Sequence, residues 1–150
     1  MSEFDSRVVT QVGIVVRDIE ASVEQYSRVF NIEKPPIRIT AEQEKSGMKF
    51  VGEPSQGRAK LAFFDMGQVQ IELIEPIDGP STWEHFLETK GEGVHHIAFV
   101  TKNMPRLVSS LVQEGIEEVQ KGEFEGGRYS YLDSTPELGV MLELLEFDNR

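Results

Sequence analysis

The chain contains no cysteine. Disulfide frameworks and thiolate metal sites are therefore excluded, and any bound metal ion must be held by histidine, carboxylate or amide side chains. Long apolar runs are also absent, since none approaches the roughly 20 residues that a membrane-spanning helix requires. Residues 1–7 are polar and acidic and lack the basic and apolar regions of a signal peptide, so residence in the cytoplasm is the default expectation.

Positive charge is scarce, with 15 Lys and Arg residues against 26 Asp and Glu residues and a net charge of −11. Such a surface repels phosphate backbones and anionic membranes, so we expect a small-molecule partner rather than nucleic acid or a membrane. An anionic substrate would need a local cation to reverse this potential. The length of 150 residues and the hydrophobic share of 39% suit one globular domain with a real core.

An internal repeat is the main positive signal. Segment 11–19 aligns with segment 96–104, and both predict a strand that leads into a helix. Segment 69–75 aligns with segment 140–146, and both predict a closing strand. The first half carries extra chain, which we assign to the polar segment 38–58. Duplication therefore predicts two copies of one unit, each a strand, a helix and about three strands.

A connector separates the two units. Ser81 and Glu84 have the spacing of a capping box, which predicts a short helix that ends at about Lys90. The expected organisation is one domain over residues 1–150. Module one covers about 8–78, the connector helix about 81–90, and module two about 93–147.

Four polar residues lie at repeat-related positions within predicted strands. Alternation of side chains along a strand assigns Gln11 and His96 to matching faces of the two first strands. Glu72 and Glu143 lie inside the apolar closing strands, where glutamate is depleted. Burial of a bare carboxylate is costly unless the group is paired, protonated or bound to a cation. Two carboxylates and one histidine in this arrangement predict a divalent-metal site.

Each residue taken singly has a plainer interpretation. A strand glutamate is usually half exposed with its carboxylate in water, and a lone histidine is more often a hydrogen-bonded core residue. Alternation of side chains along the strand turns His95 to the face opposite His96, and His85 lies on the connector helix. Neither is therefore expected to be a ligand. Parity also turns Glu75 and Glu146 to the outer face, where we expect them to be solvated.

The chain resembles the vicinal oxygen chelate superfamily, which includes glyoxalases, bleomycin resistance proteins and extradiol dioxygenases. The resemblance rests on segment 11–19, on IELIEP at 71–76, on GVHHIAF at 93–99 and on segment 139–146. It covers nearly the whole chain and is strongest to methylmalonyl-CoA epimerases and lactoylglutathione lyase-like proteins. It implies an α+β fold in which two tandem βαβββ modules form a cupped mixed sheet around a divalent ion (Co, Ni, Zn, Mn or Mg), commonly in a homodimer.

The resemblance also implies a ligand set, carried over by position as Gln11, Glu72, His96 and Glu143. Gln11 departs from the pattern, because the family generally has histidine there, and an amide oxygen is a neutral and weaker donor. Glu143 would serve as both ligand and catalytic base. Segment 58–64 contains no acid, although the epimerases carry a second carboxylate base there.

Other residues could complete the chemistry. Lys60, Glu42 or Glu44 could replace the missing acid. Arg128, near the last strands, could hold an anionic substrate group, and Lys60 is a second candidate for substrate binding.

Three functions are compatible with these features. The first is a metal-dependent isomerase, epimerase or lyase that abstracts a proton α to a carbonyl, for example in an acyl-CoA thioester or a hemithioacetal. The second is a binding protein that sequesters a small molecule without turnover, as resistance members of the family do. The third is a ring-cleaving dioxygenase, ranked last because such enzymes need two histidines around iron and Gln11 leaves only one.

Overall fold

The computed structural model describes residues 2–149, which form ten strands and five helices. The strands are β1 Gln11–Val15, β2 Arg38–Ile39, β3 Lys49–Phe50, β4 Glu53–Pro54, β5 Arg58–Asp65, β6 Gln70–Asp78, β7 Gly93–Val100, β8 Glu118–Phe124, β9 Gly127–Leu132 and β10 Met141–Phe147. The helices are α1 Ile19–Phe30, α2 Gln43–Ser46, α3 Thr82–Lys90, α4 Met104–Gln113 and α5 Thr135–Leu138. None of the five helices within residues 2–149 combines the length and the apolar composition needed to span a bilayer.

All ten strands belong to one mixed sheet in the order β2-β5-β6-β1-β7-β10-β9-β8-β3-β4. β1 pairs in parallel with β6, β7 pairs in parallel with β10, and β1 and β7 join the two halves in antiparallel pairing. The halves β2-β5-β6-β1 and β8-β9-β10-β7 are therefore related by a pseudo-twofold axis between β1 and β7. The sheet curls into an open half-barrel, which confirms the predicted α+β fold of two tandem βαβββ modules.

The convex face of each half is covered by one helix. The side chains of Asp18 and Asn103 cap α1 and α4 by accepting hydrogen bonds from backbone N–H groups in the first turn. The apolar cores under the helices are Val16, Ile19, Val23, Ala62, Phe64 and Leu73 in the first module, and Met104, Leu107, Leu111, Leu132, Leu142 and Leu144 in the second. Burial of each larger side chain contributes ~1.5–3 kcal/mol, so these two cores stabilise the fold without the side chains of the concave face.

Two glutamates of the closing strands also anchor these helices. A carboxylate oxygen of Glu75 accepts a hydrogen bond from the backbone N–H of Ile19 at 2.9 Å, and Glu146 lies in the equivalent place beside Met104 at 3.4 Å. Both glutamates lie on the outer face, as parity predicted. The expectation that they are solvated is wrong, because the unpaired N–H groups at the two helix starts bind them.

Segment 38–58 forms a strap across the mouth of the half-barrel. β2 pairs with β5 at one edge of the sheet, and β3 pairs with β8 at the other edge. The short strands of the strap depend on these edges for their hydrogen bonds, so no local periodicity marks them in the sequence. The strap places residues 38–48 over the concave side.

Candidate metal centre and substrate cup

The four predicted ligands come from four adjacent strands at the middle of the sheet. Register places Gly13 of β1 beside both Glu72 of β6 and His96 of β7, while Glu143 of β10 lies beside Ala98. The pleat turns all four side chains to the concave face. All are buried, with exposed fractions of 6% for Gln11 and Glu72, 5% for Glu143 and 0% for His96.

The donor atoms of these side chains converge on one point. His96 Nε2 lies 3.4 Å from Glu72 Oε1, 3.2 Å from Glu143 Oε1 and 3.0 Å from Gln11 Oε1. Gln11 Oε1 also lies 3.2 Å from Glu72 Oε1 and 3.0 Å from Glu143 Oε1. Ligand atoms ~2.1 Å from a divalent cation are separated by roughly 3.0–3.4 Å in octahedral or tetrahedral geometry, so the residues fit a metal ion.

The orientation of the Gln11 amide depends on its neighbour Gln70. Gln11 Nε2 donates to Gln70 Oε1 at 2.7 Å, so Gln11 Oε1 faces the oxygens of Glu72 and Glu143. If the amides of Gln11 and Gln70 are both reversed, Gln11 donates to Glu72 and Glu143 and accepts from Gln70, so each group is satisfied without a cation. A cation at the centre would instead select the orientation in which Gln11 Oε1 faces the carboxylates. Gln70 was not predicted as a site residue, although it shares a strand face with Glu72.

A glycine allows His96 to lie against the backbone of β1. A Cβ on Gly13 would lie 2.0 Å from His96 Cε1 and 2.4 Å from both ring nitrogens. No side chain fits in this space, so the imidazole occupies the position where other residues carry a Cβ.

His95 also reaches the site, contrary to the parity prediction. The β1–β7 register shifts between Gly13 and Ile14, which leaves His95 as the extra residue of a β-bulge. The bulge re-aims the side chain, so that His95 Nδ1 lies 2.9 Å from His96 Nδ1 and His95 Nε2 lies 3.1 Å from the hydroxyl of Thr82. Burial, reinforced by the charge of His96, lowers the pKa of His95 well below its usual value. A neutral His95 can accept the Nδ1 proton of His96 and leave His96 Nε2 free for a cation.

Electrostatics at the centre favour positive charge. Burial by itself lowers the pKa of His96, but the carboxylates of Glu143 and Glu72 outweigh it and raise that pKa to about 9. Burial also raises the pKa of Glu72, opposed by His96 and reinforced by the charge of Glu143. Two buried carboxylates around one imidazole leave a net negative site, which a divalent cation would neutralise.

A cavity of about 520 Å³ opens above the centre. Gln11, Glu72 and Glu143 line its floor. The aromatic side chains that line its walls are Phe63, Trp83, Phe124, Tyr129, Tyr131 and Phe147. Its size and apolar walls are typical of small-molecule sites; we call this cavity the cup.

Two tyrosine hydroxyls in the cup can act as hydrogen-bond donors. Trp83 Nε1 donates to the hydroxyl of Tyr131 at 3.2 Å, and Gln120 Nε2 donates to the hydroxyl of Tyr129 at 3.0 Å. Within residues 2–149 neither hydroxyl has an acceptor for its own hydrogen. Burial raises the pKa of both tyrosines, so both stay protonated and able to donate.

The structure does not bring Lys60 to the cup. Its neighbour Leu61 lines the cup, so alternation along β5 turns Lys60 to the convex face, where Nζ lies 3.9 Å from both Glu20 and Glu75. The predicted substrate contact is therefore replaced by ion pairs beside α1.

Arg128 is likewise on the convex face. Its guanidinium lies 3.0 Å from Glu146 and also pairs with Asp148, while the next residue, Tyr129, lines the cup. Alternation along β9 explains this placement, and the predicted binding of an anionic substrate group in the cup does not fit it.

The second acid expected of an epimerase is also missing from β5. The residues of β5 that face the concave side are Ala59, Leu61 and Phe63. Glu42 and Glu44 are exposed at the start of α2 and do not line the cup. Within the described residues, Glu72 and Glu143 are therefore the acids at the floor of the cup.

The chain is similar to known proteins in both sequence and structure. The model of the glyoxalase/bleomycin resistance protein/dioxygenase superfamily matches residues 10–131. The uncharacterized protein YqjC of Bacillus subtilis (strain 168) is 32% identical over 92 residues. That match covers 59% of this chain and 66% of YqjC, just under two thirds of the relative's length.

Solved structures share the fold over almost the whole chain. A hypothetical protein of Bacillus halodurans C-125 aligns with a TM-score of 0.66 and 22% identity, covering 95% of each chain. The methylmalonyl-CoA epimerase of Mycobacterium tuberculosis aligns with a TM-score of 0.62 and 21% identity, covering 95% of this chain and 91% of that one. A methylmalonyl-CoA epimerase in complex with methylmalonyl-CoA and NH4+ gives 0.62 and 22%, covering 94% of each. At these identities the likeness establishes the fold.

Proposed function

The chain belongs to the glyoxalase/bleomycin resistance protein/dioxygenase superfamily, and on this premise we propose that it is a metal-dependent isomerase or lyase that abstracts a proton α to a carbonyl group. The observation that carries the proposal is the convergence of Gln11, Glu72 and Glu143 on His96 Nε2, which lies 3.0–3.4 Å from an oxygen of each. This centre lies at the floor of an apolar cup, where a small carbonyl compound can reach it.

The four side chains would hold a divalent ion through one nitrogen and three oxygens. Such a set suits Co, Ni, Zn, Mn or Mg, and the two carboxylates match the charge of the ion. When bound, the ion acts as a Lewis acid that stabilises negative charge on a substrate oxygen.

The remaining chemistry belongs to groups of the chain. The hydroxyls of Tyr129 and Tyr131 donate hydrogen bonds to the substrate oxygen as it gains negative charge. Trp83 and Gln120 hold these hydroxyls in place from behind. Glu143 removes the α-proton and returns it. The aromatic walls exclude water, which strengthens each of these interactions.

The absence of an acid on the concave face of β5 favours a single-base reaction. One carboxylate can return the proton to the face from which it was taken, or to an adjacent carbon, as in the isomerisation of a hemithioacetal. Inversion at the α-carbon, as in methylmalonyl-CoA epimerisation, would need a donor on the opposite face. Glyoxalase-like isomerisation is therefore the preferred form of the proposal, and the epimerase-like form is its alternative.

Exchange of the substrate α-proton with deuterated solvent tests the proposal. Protein loaded with Mn²⁺, Zn²⁺ or Ni²⁺ would be incubated with methylmalonyl-CoA and with the hemithioacetal of methylglyoxal and glutathione, and deuterium uptake followed by mass spectrometry. We expect uptake that Glu143→Gln abolishes and that Glu146→Gln, a change on the same strand but on the convex face, leaves intact. Stoichiometric metal without exchange in either compound would contradict the proposed chemistry.

A binding protein without turnover is the second candidate. The neutral Gln11 and the aromatic lining of the cup favour it, since both suit sequestration of an apolar ligand. Protein that purifies without metal and binds an aromatic compound in the cup, with no proton exchange, would support this alternative.

We also propose that the protein is a cytoplasmic homodimer, as is common in the superfamily that the sequence resembles. Light scattering coupled to size exclusion would give twice the chain mass of 17.0 kDa if the dimer forms. A mass of one chain at micromolar concentration would refute it.

A further inference from the structure

Arg38 is the single Lys or Arg among the described residues that line the cup. It pairs across β2–β5 with Leu61, and directly opposed residues of antiparallel strands share a face, so its side chain turns to the concave side. Arg58, Arg106 and Arg128 each bind a carboxylate. Within residues 2–149 the guanidinium of Arg38 has no such partner and is free to bind a ligand.

Among the described residues, the other charged side chains that line the cup are carboxylates. Glu72 and Glu143 lie at the floor, Glu123 lies at the end of β8, and Glu125 lies in the β8–β9 turn. With a net charge of −11 on the chain, an anionic group entering the cup is repelled except at Arg38 and at a bound cation. Charge therefore decides where an anionic group of the substrate lies.

Strand geometry sets the distance between these two points. Arg38 is two strands from Glu72 and offset by two residues, because Leu61 opposes Ile74 while Phe63 opposes Glu72. With strands ~4.8 Å apart and a rise of ~3.4 Å per residue, the Cα atoms of Arg38 and Glu72 are ~12 Å apart. This separation lets a substrate place its carbonyl at the floor while a separate anionic group contacts Arg38.

We infer that the cup takes a carbonyl compound that also carries a carboxylate, which is bound by Arg38, and an apolar or aromatic body that packs against the walls. The inference rests on the proposed function for the placement of the carbonyl at the floor. The carboxylate contact itself depends only on Arg38 and the shape of the cup.

Trp83 provides the measurement, because it is the single tryptophan of the chain and lines the cup with 4% of its surface exposed. The probes are 4-oxo-4-phenylbutanoate and its neutral amide, titrated by tryptophan fluorescence into zinc-loaded and into chelator-treated protein. We expect the wild type to bind the carboxylate roughly fivefold to tenfold more tightly than the amide, the size of a charge-assisted contact reduced by solvent.

Arg38→Gln should remove this preference, and Arg28→Gln, which changes the charge equally on α1 away from the cup, should retain it. Equal affinities for the two probes in the wild type, or no binding of either, would overturn the inference, as would an unchanged preference in Arg38→Gln. Deuterium exchange next to the carbonyl is followed separately. If the carboxylate preference depends on Arg38 but no deuterium exchange occurs, the inference holds and the proposed function fails. If exchange occurs but Arg38→Gln leaves the preference unchanged, the proposed function holds and the inference fails.

Discussion

The substitution Gly13→Ala tests the metal centre without altering any ligand. The added Cβ would lie 2.0 Å from His96 Cε1. Carbon atoms in contact are ~3.5–4.0 Å apart, so the imidazole must move by ~1.5 Å or more. The ring has little room to turn, because His95 Nδ1 holds its other edge at 2.9 Å and the Tyr131 ring packs beside it.

The magnitude follows from the tolerance of metal–ligand bonds. Such bonds vary by only ~0.2 Å, so a displacement of ~1.5 Å removes His96 Nε2 from the ligand set. Loss of a supporting residue around a metal ligand costs ~10–100-fold in affinity, and loss of the ligand itself should cost at least the upper value. Overpacking should also lower the free energy of unfolding by ~1–3 kcal/mol.

Isothermal titration with Mn²⁺ or Zn²⁺, paired with urea unfolding, checks both effects. Val12→Ala is the control, since it changes a side chain of the same strand on the face away from His96. A folded Gly13→Ala protein with the affinity of the wild type would refute the placement of His96 as a ligand. If Gly13→Ala fails to fold, His96→Gln gives the same test.

Three further predictions concern the same centre. Gln70→Leu removes the acceptor that orients the Gln11 amide, so metal affinity should fall ~10-fold. Gln70→Glu keeps an acceptor and should keep the wild-type affinity. Equal affinities in the two variants, measured by titration calorimetry, would contradict this role of Gln70. Gln11→His adds a stronger donor and should raise the affinity for Zn²⁺ and Ni²⁺; an unchanged dissociation constant would argue that Gln11 is not a ligand. In metal-free protein, burial lowers the pKa of His96, but Glu143 and Glu72 raise it overall to about 9. The folded state therefore keeps a proton on His96 that the unfolded chain loses above pH ~6.5. This contribution, on the order of 3 kcal/mol, should be fully present below pH 6.5 and lost as pH rises through 9; a decline in urea stability between pH 6.5 and 9.5 of the same size in His96→Gln would disprove it.

The sequence by itself was sufficient for the repeat, the fold class and the faces of Gln11, Glu72, His96 and Glu143. These depend on the two-residue period of strands and on the order of elements, both of which are local properties. Pseudo-twofold symmetry then indicates that the matching faces of the two halves meet.

Lys60 and Arg128 show where such reasoning stops. Segment 58–64 has apolar residues on both faces, so its alternation does not reveal which side Lys60 occupies. Only the packing of α1 against Phe64 and the lining of the cup by Leu61 decide it. The predicted role of Arg128 in substrate binding rested on its nearness in sequence to the last strands. The pairing of β9 with β10 instead places Arg128 beside Glu146.

The contacts that shape the centre depend on tertiary structure. The bulge that turns His95 inward, the approach of His96 to Gly13 and the hydrogen bond from Gln11 to Gln70 all arise between different strands. Register between strands distant in sequence is set by the packing of the whole sheet, so no local pattern encodes it. The shared face of Gln11, Glu72, His96 and Glu143 was therefore predictable from the sequence, while the distances between them were decided by the assembled sheet.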